Sequence, residues 1–324
     1  MSEDRALLVQ QVRKWGDINS DSILDPICTI FRDAQIEGLI AYRVEAGKAV
    51  VYGDPVCAEE DKLGLASTFQ KHCENKKLGV IYVCVSESFA KLAINGLCRV
   101  MIGYGERLIF DPRVNPLEQT GRKAIVVRNK VRVAEKERVE VSEYVDEDPQ
   151  LESEMEAVTK KWLKARRGFQ VYSAHVKLFG DRLGKRWLYA HQGKKVIGVL
   201  MLNELQACGG WQLNNLMIVP EAPYGTQEML VVTAFRKLAE EGCYVVVSGP
   251  APAKQLTEIV GMSGFNAWVT RGIYSFVRRK FKLDHLMFWK KFYPKREMSY
   301  LLFSDRRISV RTVLALAKAF NVVK

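Results

Sequence analysis

A chain of 324 residues, 48% hydrophobic and 27% charged, can bury a full core and is long enough for two domains, which excludes disordered and fibrous classes. Its formal charge of +12 favours polyanionic partners: nucleic acid, anionic lipid headgroups or phosphorylated small molecules. The seven cysteines and four histidines are scattered without disulfide or metal-ligand spacing, so free thiols in a reducing compartment and no metal are expected. The opening Met-Ser-Glu-Asp-Arg is not a signal peptide, and no stretch approaches 18 uninterrupted apolar residues. Both point to a cytoplasmic chain with peripheral membrane contact at most.

In chain order, residues 3–14 form an amphipathic helix, and 38–44 with 49–52 form a β-hairpin turning at Glu45-Ala46-Gly47-Lys48. Helical spacing covers 61–76, and 78–85 is a nearly all-apolar strand of the kind found at a sheet centre. A helix over 89–97 and a strand over 100–110 follow. Residues 122–138 carry seven basic residues on a helix, with Arg128, Arg132 and Glu135 on one face; 140–156 then carry eight acidic residues and no basic one. The acidic run reads as a solvated linker and helix start, which divides the chain into residues 1–146 and 147–324.

The second half repeats the pattern of the first. A helix over 151–166 is followed by a hairpin of 186–190 and 195–202, a strand over 211–218, a helix over 227–241 and a buried strand over 244–248. The repeated order predicts an α/β (α+β) fold made of two acetyltransferase-like units in tandem. From residue 271 to the end there are 14 basic residues against three acidic ones, close to the whole net charge. Interleaved aromatic residues suit RNA or a membrane face equally. A final amphipathic helix over 308–320 has Ile308, Val313, Leu316, Ala317 and Phe320 on one side, for packing on the domain or for docking on a membrane.

Five segments, taken in order, resemble the soluble catalytic domain at the C-terminus of bacterial phosphatidylglycerol lysyltransferases. They are Ala41-Tyr42-Arg43 with Val50 to Pro55; Gly105-Glu106 with Asp111; Gly121-Arg122-Lys123 with Arg128-Asn129; Asn215-Leu216-Met217 with Ala222 to Thr226; and Phe288, Lys291-Phe292, Pro294 with Tyr300-Leu301. The resemblance implies a double acetyltransferase-like (double GNAT) fold that moves an aminoacyl group from charged tRNA to a lipid hydroxyl, with no cofactor besides that co-substrate. Lys291, in the last of these segments, is the candidate catalytic side chain, and Asn215, on a strand ending in the expected cleft, is taken with it. Within the matching segments, substrate contacts would come from Arg128, Glu106, Tyr224 and Thr226; Ser248 and Gly249 join them because they stand at the C-terminal end of a buried strand, where a cleft is lined. From the two basic stretches, a surface for tRNA or another polyanion would come from Arg122, Lys123, Arg132, Arg278, Arg279 and Lys280.

This chain departs from the family where Asn215 and Ile218 stand in place of an acid and an arginine, and where Trp289, Arg296 and Ser299 replace a lysine, a tryptophan and an arginine. Without the buried anion a cationic amino acid is gripped less well, so a different, neutral amino acid or an altered activity is expected. Residue chemistry alone offers structural readings beside the functional ones. Asp54 before Pro55 marks a turn, and Thr226 is placed to cap the helix that follows. Ser248-Gly249 is a turn at the end of a strand, without the Gly-x-Ser-x-Gly elbow of a hydrolase. Two other functions stay open: a CoA-dependent N-acyltransferase, against which the missing Gly-rich pyrophosphate loop before residue 227 argues, and a non-catalytic RNA- or lipid-binding relative.

Overall fold

The computed structural model describes residues 3–166, 174–249, 251–281 and 286–322, with the backbone alone at 280, 281, 286 and 287. The chain opens with α1 (Glu3–Trp15), α2 (Ser20–Ile23), β1 (Thr29–Phe31), β2 (Gly38–Glu45), β3 (Lys48–Tyr52) and β4 (Val56–Cys57). Then come α3 (Lys62–Asn75), β5 (Gly79–Val85), α4 (Glu87–Ile94), β6 (Val100–Phe110), α5 (Arg122–Lys136) and β7 (Val139–Tyr144). The second half contains α6 (Pro149–Ala165), β8 (Lys185–Gln192), β9 (Lys195–Leu205), β10 (Gly210–Ile218), α7 (Thr226–Glu240) and β11 (Val246–Ser248). It ends with β12 (Ala251–Pro252), β13 (Ile259–Val260), α8 (Gly264–Phe281), α9 (Leu286–Trp289), β14 (Lys295–Phe303) and α10 (Val310–Ala319).

One sheet runs through the molecule in the order β1-β2-β3-β5-β14-β6-β11-β10-β9-β8-β7, with β4 on β2, and β12 and β13 on β6. Two units within it share a plan. The antiparallel pair β2–β3 leads through α3 to β5, which lies parallel to β3. The antiparallel pair β9–β10 leads through α7 to β11, parallel to β10. That repeat is a tandem acetyltransferase-like α/β fold. The run Val80–Val85 is buried throughout, as expected of a strand covered on both faces. On one side Leu65, Phe69 and Phe89 of α3 and α4 pack against it; on the other Val9, Val12, Ala315 and Ala319 of α1 and α10 do.

The two halves interlock. β14 inserts between β5 and β6, pairing antiparallel with both, and α10 closes over β2 and β3. The Tyr52 hydroxyl (2.7 Å) and the Arg43 guanidinium (3.2 Å) both donate to the Ala319 carbonyl at the end of α10. The expected division at 146/147 falls in the loop between β7 and α6, and β14 and α10, which follow it, are built into the first half of the sheet.

Three local expectations are corrected. Part of the supposed acidic linker is β7, an edge strand whose Glu143 pairs with Arg186 at 2.7 Å and Lys237 at 3.3 Å. Its acids point outward to partners that are remote in sequence. On α10 the inward residues are Thr312, Ala315 and Ala319, with Ile308, Leu316 and Phe320 partly buried, while Val313 is 48% exposed. The capping box of Ser309 and Thr312 sets the start of that helix and with it the face that turns inward. Third, the N-cap of α7 is Gly225, not Thr226.

Candidate active site

The two parallel strand pairs end differently. In the first unit β3 and β5 stay in register to Tyr52 and Val83, and the Gly53 amide continues the ladder by donating to the Val83 carbonyl at 2.8 Å. The Asp54 carboxylate then accepts from the Ser86 amide (2.9 Å) and hydroxyl (2.6 Å) and pairs with Lys62 at 3.1 Å. Those bonds tie the two chain ends together. The turn expected at Gly53-Asp54-Pro55 is therefore the stitch that shuts this half.

In the second unit the pairing of β10 with β11 stops at Leu213 and Ser248. A bulge between Leu213 and Asn215 breaks the register, β10 continues beside β9 to Ile218, and the chain after β11 stays with β6, where Ala251 lies opposite Glu106. The strands thus part. Asn215 lies on one lip, half-buried, and its side-chain amide has no hydrogen-bond partner among the described residues. Gly249 lies on the other, where an added Cβ would meet open space. A bulge that re-aims a strand beside a functional site is a recurring device.

α7 begins directly after this opening, and its first turn carries a buried charge cluster. The Glu228 side chain is 3% exposed; one of its oxygens accepts from Lys130 of α5 at 2.8 Å and from Lys291, which follows α9. The Lys291 ammonium also stands 3.8 Å from the centre of the Phe288 ring, and Lys130 stands 4.4 Å from that of Tyr224. Burial pushes the Glu228 carboxyl up, but the two ammonium groups outweigh it and hold it below the usual carboxylate range. Burial draws the Lys291 ammonium below the ordinary lysine value, offset in part by Glu228 and reinforced by Lys130. Lys130, on which burial acts the same way, is nevertheless held above its ordinary value by Glu228. Of the two cations, Lys291 gives up its proton more readily, the property wanted in a proton-transfer group.

The depressed carboxyl fixes the sign of a pH effect. Glu228 contributes stability that is fully present above the ordinary carboxylate range and is lost as pH falls through its lowered value. Acid thermal denaturation therefore has a limb that is missing in E228Q. Superimposable acid limbs in the two proteins, followed by circular dichroism, would show that Glu228 is not anionic in the fold.

The remaining residues named from the sequence do not all converge on this cluster. The Tyr224 ring is 65% exposed and reaches the cluster through Lys130. Thr226 is fully buried and donates its hydroxyl back to the Pro223 carbonyl at 2.7 Å, a turn bond. The Ser248 hydroxyl, also buried, accepts from the Leu108 amide and donates to the Gly249 carbonyl, each at 3.3 Å. The half-buried Glu106 lies 3.4 Å from the Arg296 guanidinium in an ion pair, without forming a hydrogen bond through that oxygen.

Arg128 does not face the cluster. It donates to the carbonyls of Leu117 (2.7 Å) and Gln119 (2.8 Å), clipping the loop before α5. R128A is expected to cost ~1–3 kcal/mol, the value of hydrogen bonds from a charged donor, read as a lowered urea midpoint. An unchanged midpoint would show that the clip carries no stability. Arg122, Lys123 and Arg132 are exposed along α5, and Arg279 is exposed on α8, where Arg278 is half-buried. The side chain of Lys280 lies outside the described residues. Sequence reasoning missed Glu228, because an acid in the first turn of a helix is explained by the helix dipole alone. No group of three or more metal-ligating side chains occurs among the described residues.

Comparison with known proteins places this geometry. A search of curated proteins finds no sequence match. Over nearly its full length the chain is similar in fold to the solved L-PGS from Bacillus licheniformis (TM-score 0.79, 17% identity, 98% of this chain and 95% of that one). It is also similar to the C-terminal domain of a putative lysylphosphatidylglycerol synthetase from Agrobacterium fabrum (TM-score 0.77, 17% identity, 97% and 96%). A conserved protein of unknown function from Bacteroides thetaiotaomicron is more distant, with a TM-score of 0.55 at 11% identity over 92% of this chain and 89% of that one. The family model described as phosphatidylglycerol lysyltransferase, C-terminal, matches residues 27–303, a span that takes in both lips of the opening and the Lys130–Glu228–Lys291 cluster, so the chain belongs to that transferase family.

Proposed function

We propose that this protein transfers an aminoacyl group from a charged tRNA to a hydroxyl of an anionic, phosphatidylglycerol-like lipid, in the β10/β11 opening, at the cytoplasmic face of a membrane it touches only peripherally. The observation that carries the reading is the Lys291–Glu228–Lys130 set in the first turn of α7, the helix that follows the β10/β11 opening, whose lips carry Asn215, an amide without a hydrogen-bond partner among the described residues, and open space at Gly249.

The reaction exchanges one ester for another and is close to thermoneutral, so juxtaposition and one proton transfer supply most of what is needed. The acceptor oxygen bonds to the aminoacyl carbonyl carbon, the bond from that carbon to the tRNA ribose oxygen breaks, and the acceptor's proton ends on the ribose oxygen. In this scheme Lys291 hands a proton to the leaving oxygen and regains one from the acceptor. Glu228 and Lys130 hold its amine in place and set its acidity. Asn215 donates its amide to the aminoacyl carbonyl as negative charge develops there.

Coenzyme A as the donor suits this site poorly. An acetyltransferase-like fold would cradle the pyrophosphate on the N-terminus of α7, but there α5 lies so close that a Cβ at 225 would run into the Lys130 carbonyl oxygen. The buried Glu228 carboxylate in the same turn would repel phosphate. No cofactor beyond the charged tRNA enters the scheme.

Incubating the protein with radiolabelled aminoacyl-tRNAs and a total lipid extract is expected to move label into the organic phase. Failure with all twenty charged tRNAs would leave a non-catalytic binding relative as the better reading. Asn215 also bears on the choice of amino acid. Having no anion there, the wild type should use a neutral aminoacyl-tRNA in preference to lysyl-tRNA, and N215D should improve the lysyl reaction relative to the neutral one by roughly tenfold, as a charge-assisted contact allows. An unchanged ratio would remove Asn215 from the aminoacyl pocket.

A further inference from the structure

The solvent face of α8 is apolar. Its inward side, Ala267, Thr270, Tyr274 and Arg278, repeats at three- and four-residue steps. Phe265 (72% exposed), Trp268 (71%), Ile273 (52%) and Phe276 (67%) project from the rest of the helix. A surface helix normally turns polar residues to water, and clustered large apolar side chains there mark a contact surface. Gly264–Phe281 contains no acidic residue, while Arg271 and Arg279 are exposed along it.

We infer that this face of α8 is the docking surface by which the protein lies on an anionic bilayer. Aromatic and aliphatic side chains on an all-basic helix match the two requirements of an interfacial helix, apolar insertion and attraction to anionic headgroups. Bases of RNA would stack on Trp268 and Phe276 but gain nothing from Ile273 or Val277, and a second copy would bring two like-charged helices together. No helix among the described residues is long and apolar enough to cross a membrane, so the contact is a surface one. The location fits as well. The Tyr274 hydroxyl bonds the carbonyls of Tyr104 (2.9 Å) and Ala253 (2.7 Å), which pins α8 beside Glu106 and the β12 lip of the opening. The inference deepens the proposed function by naming the element that presents a membrane-resident acceptor to the site.

The test is flotation with vesicles of phosphatidylcholine alone and of phosphatidylcholine and phosphatidylglycerol in equal parts, using wild type, W268S/F276S and R271E/R279E. Wild type should float with the anionic vesicles only, and each double variant should bind them at least ~10-fold more weakly. The melting temperatures should be unchanged, because all four side chains are exposed. Aminoacyl transfer to a short-chain phosphatidylglycerol dissolved below its micelle concentration should persist in W268S/F276S while transfer to vesicles falls. Wild-type flotation by both variants overturns the inference. So does loss of tRNA binding or of self-association in W268S/F276S with vesicle binding intact. Flotation that depends on α8 in a protein that transfers nothing would support the docking surface and reject the proposed reaction, so the two fail separately.

Discussion

K291M lowers aminoacyl transfer by ~10²–10³-fold, the usual loss when a proton-transfer or charge-stabilising group is removed from an acyl-transfer site. It also leaves the buried Glu228 with Lys130 as its one remaining ion-pair partner among the described residues, so some stability goes with it. K291R separates the two effects. Arginine keeps the ion pair with Glu228 and the ring contact with Phe288 but does not release a proton at neutral pH, so K291R should melt near the wild-type temperature and be nearly as slow as K291M. Single-turnover rates with a charged tRNA and detergent-dispersed phosphatidylglycerol give the comparison. An arginine variant at the wild-type rate would show that the charge alone matters and that no proton passes through residue 291.

G225A is the second large effect. Gly225 has φ 96°, a conformation that penalises any side chain, and a Cβ there would run into the Lys130 carbonyl oxygen. Strain and overpacking each cost ~1–3 kcal/mol. The sum lowers the melting temperature by roughly 3–9 °C for a chain of this size. Because the clash pushes α5 away from α7, it also draws Lys130 off Glu228, so activity falls even where the protein stays folded. A melting temperature within about a degree of wild type would show that α5 and α7 have room to move apart and that their close approach does not position the cluster.

The parts of the fold legible in sequence were those whose partners are close in the chain. The hairpins β2–β3 and β8–β9 carry their turns between them, and β6 and the apolar run of β5 stand out without context. β14 was hidden because it opens with Lys295-Arg296-Glu297, three residues exposed at one end of the sheet. Its insertion between β5 and β6 is fixed by pairings across some two hundred residues. β7 was hidden by its acids, which are satisfied by Arg186 and Lys237. α8 escaped for a different reason: with apolar residues on the solvent side as well as the inner side, it shows no polar stripe for periodicity to find.

The site divides in the same way. Local motifs single out Lys291, Tyr224 and Asn215, and the fold places Lys291 on the Glu228 carboxylate, Tyr224 against its other partner Lys130, and Asn215 on a lip of the opening. Glu228, which joins α5, α7 and the segment after α9, left no local mark, since its meaning depends on two lysines, one about a hundred residues before it and one about sixty after. Arg128 shows the converse. Its motif suggested a ligand contact, and its guanidinium instead spans two carbonyls of its own loop.

On the proposed function the reaction site is the opening between β10 and β11 in the second half, while Asp54 stitches the corresponding place in the first half shut. A crystal structure with a non-hydrolysable aminoacyl-adenosine, the amide mimic of a charged tRNA end, tests it directly. The predicted result is an aminoacyl group between Asn215 and Gly249 with its carbonyl within reach of Lys291. Density at the Asp54–Ser86 junction, or anywhere that leaves the β10/β11 opening empty, would contradict it.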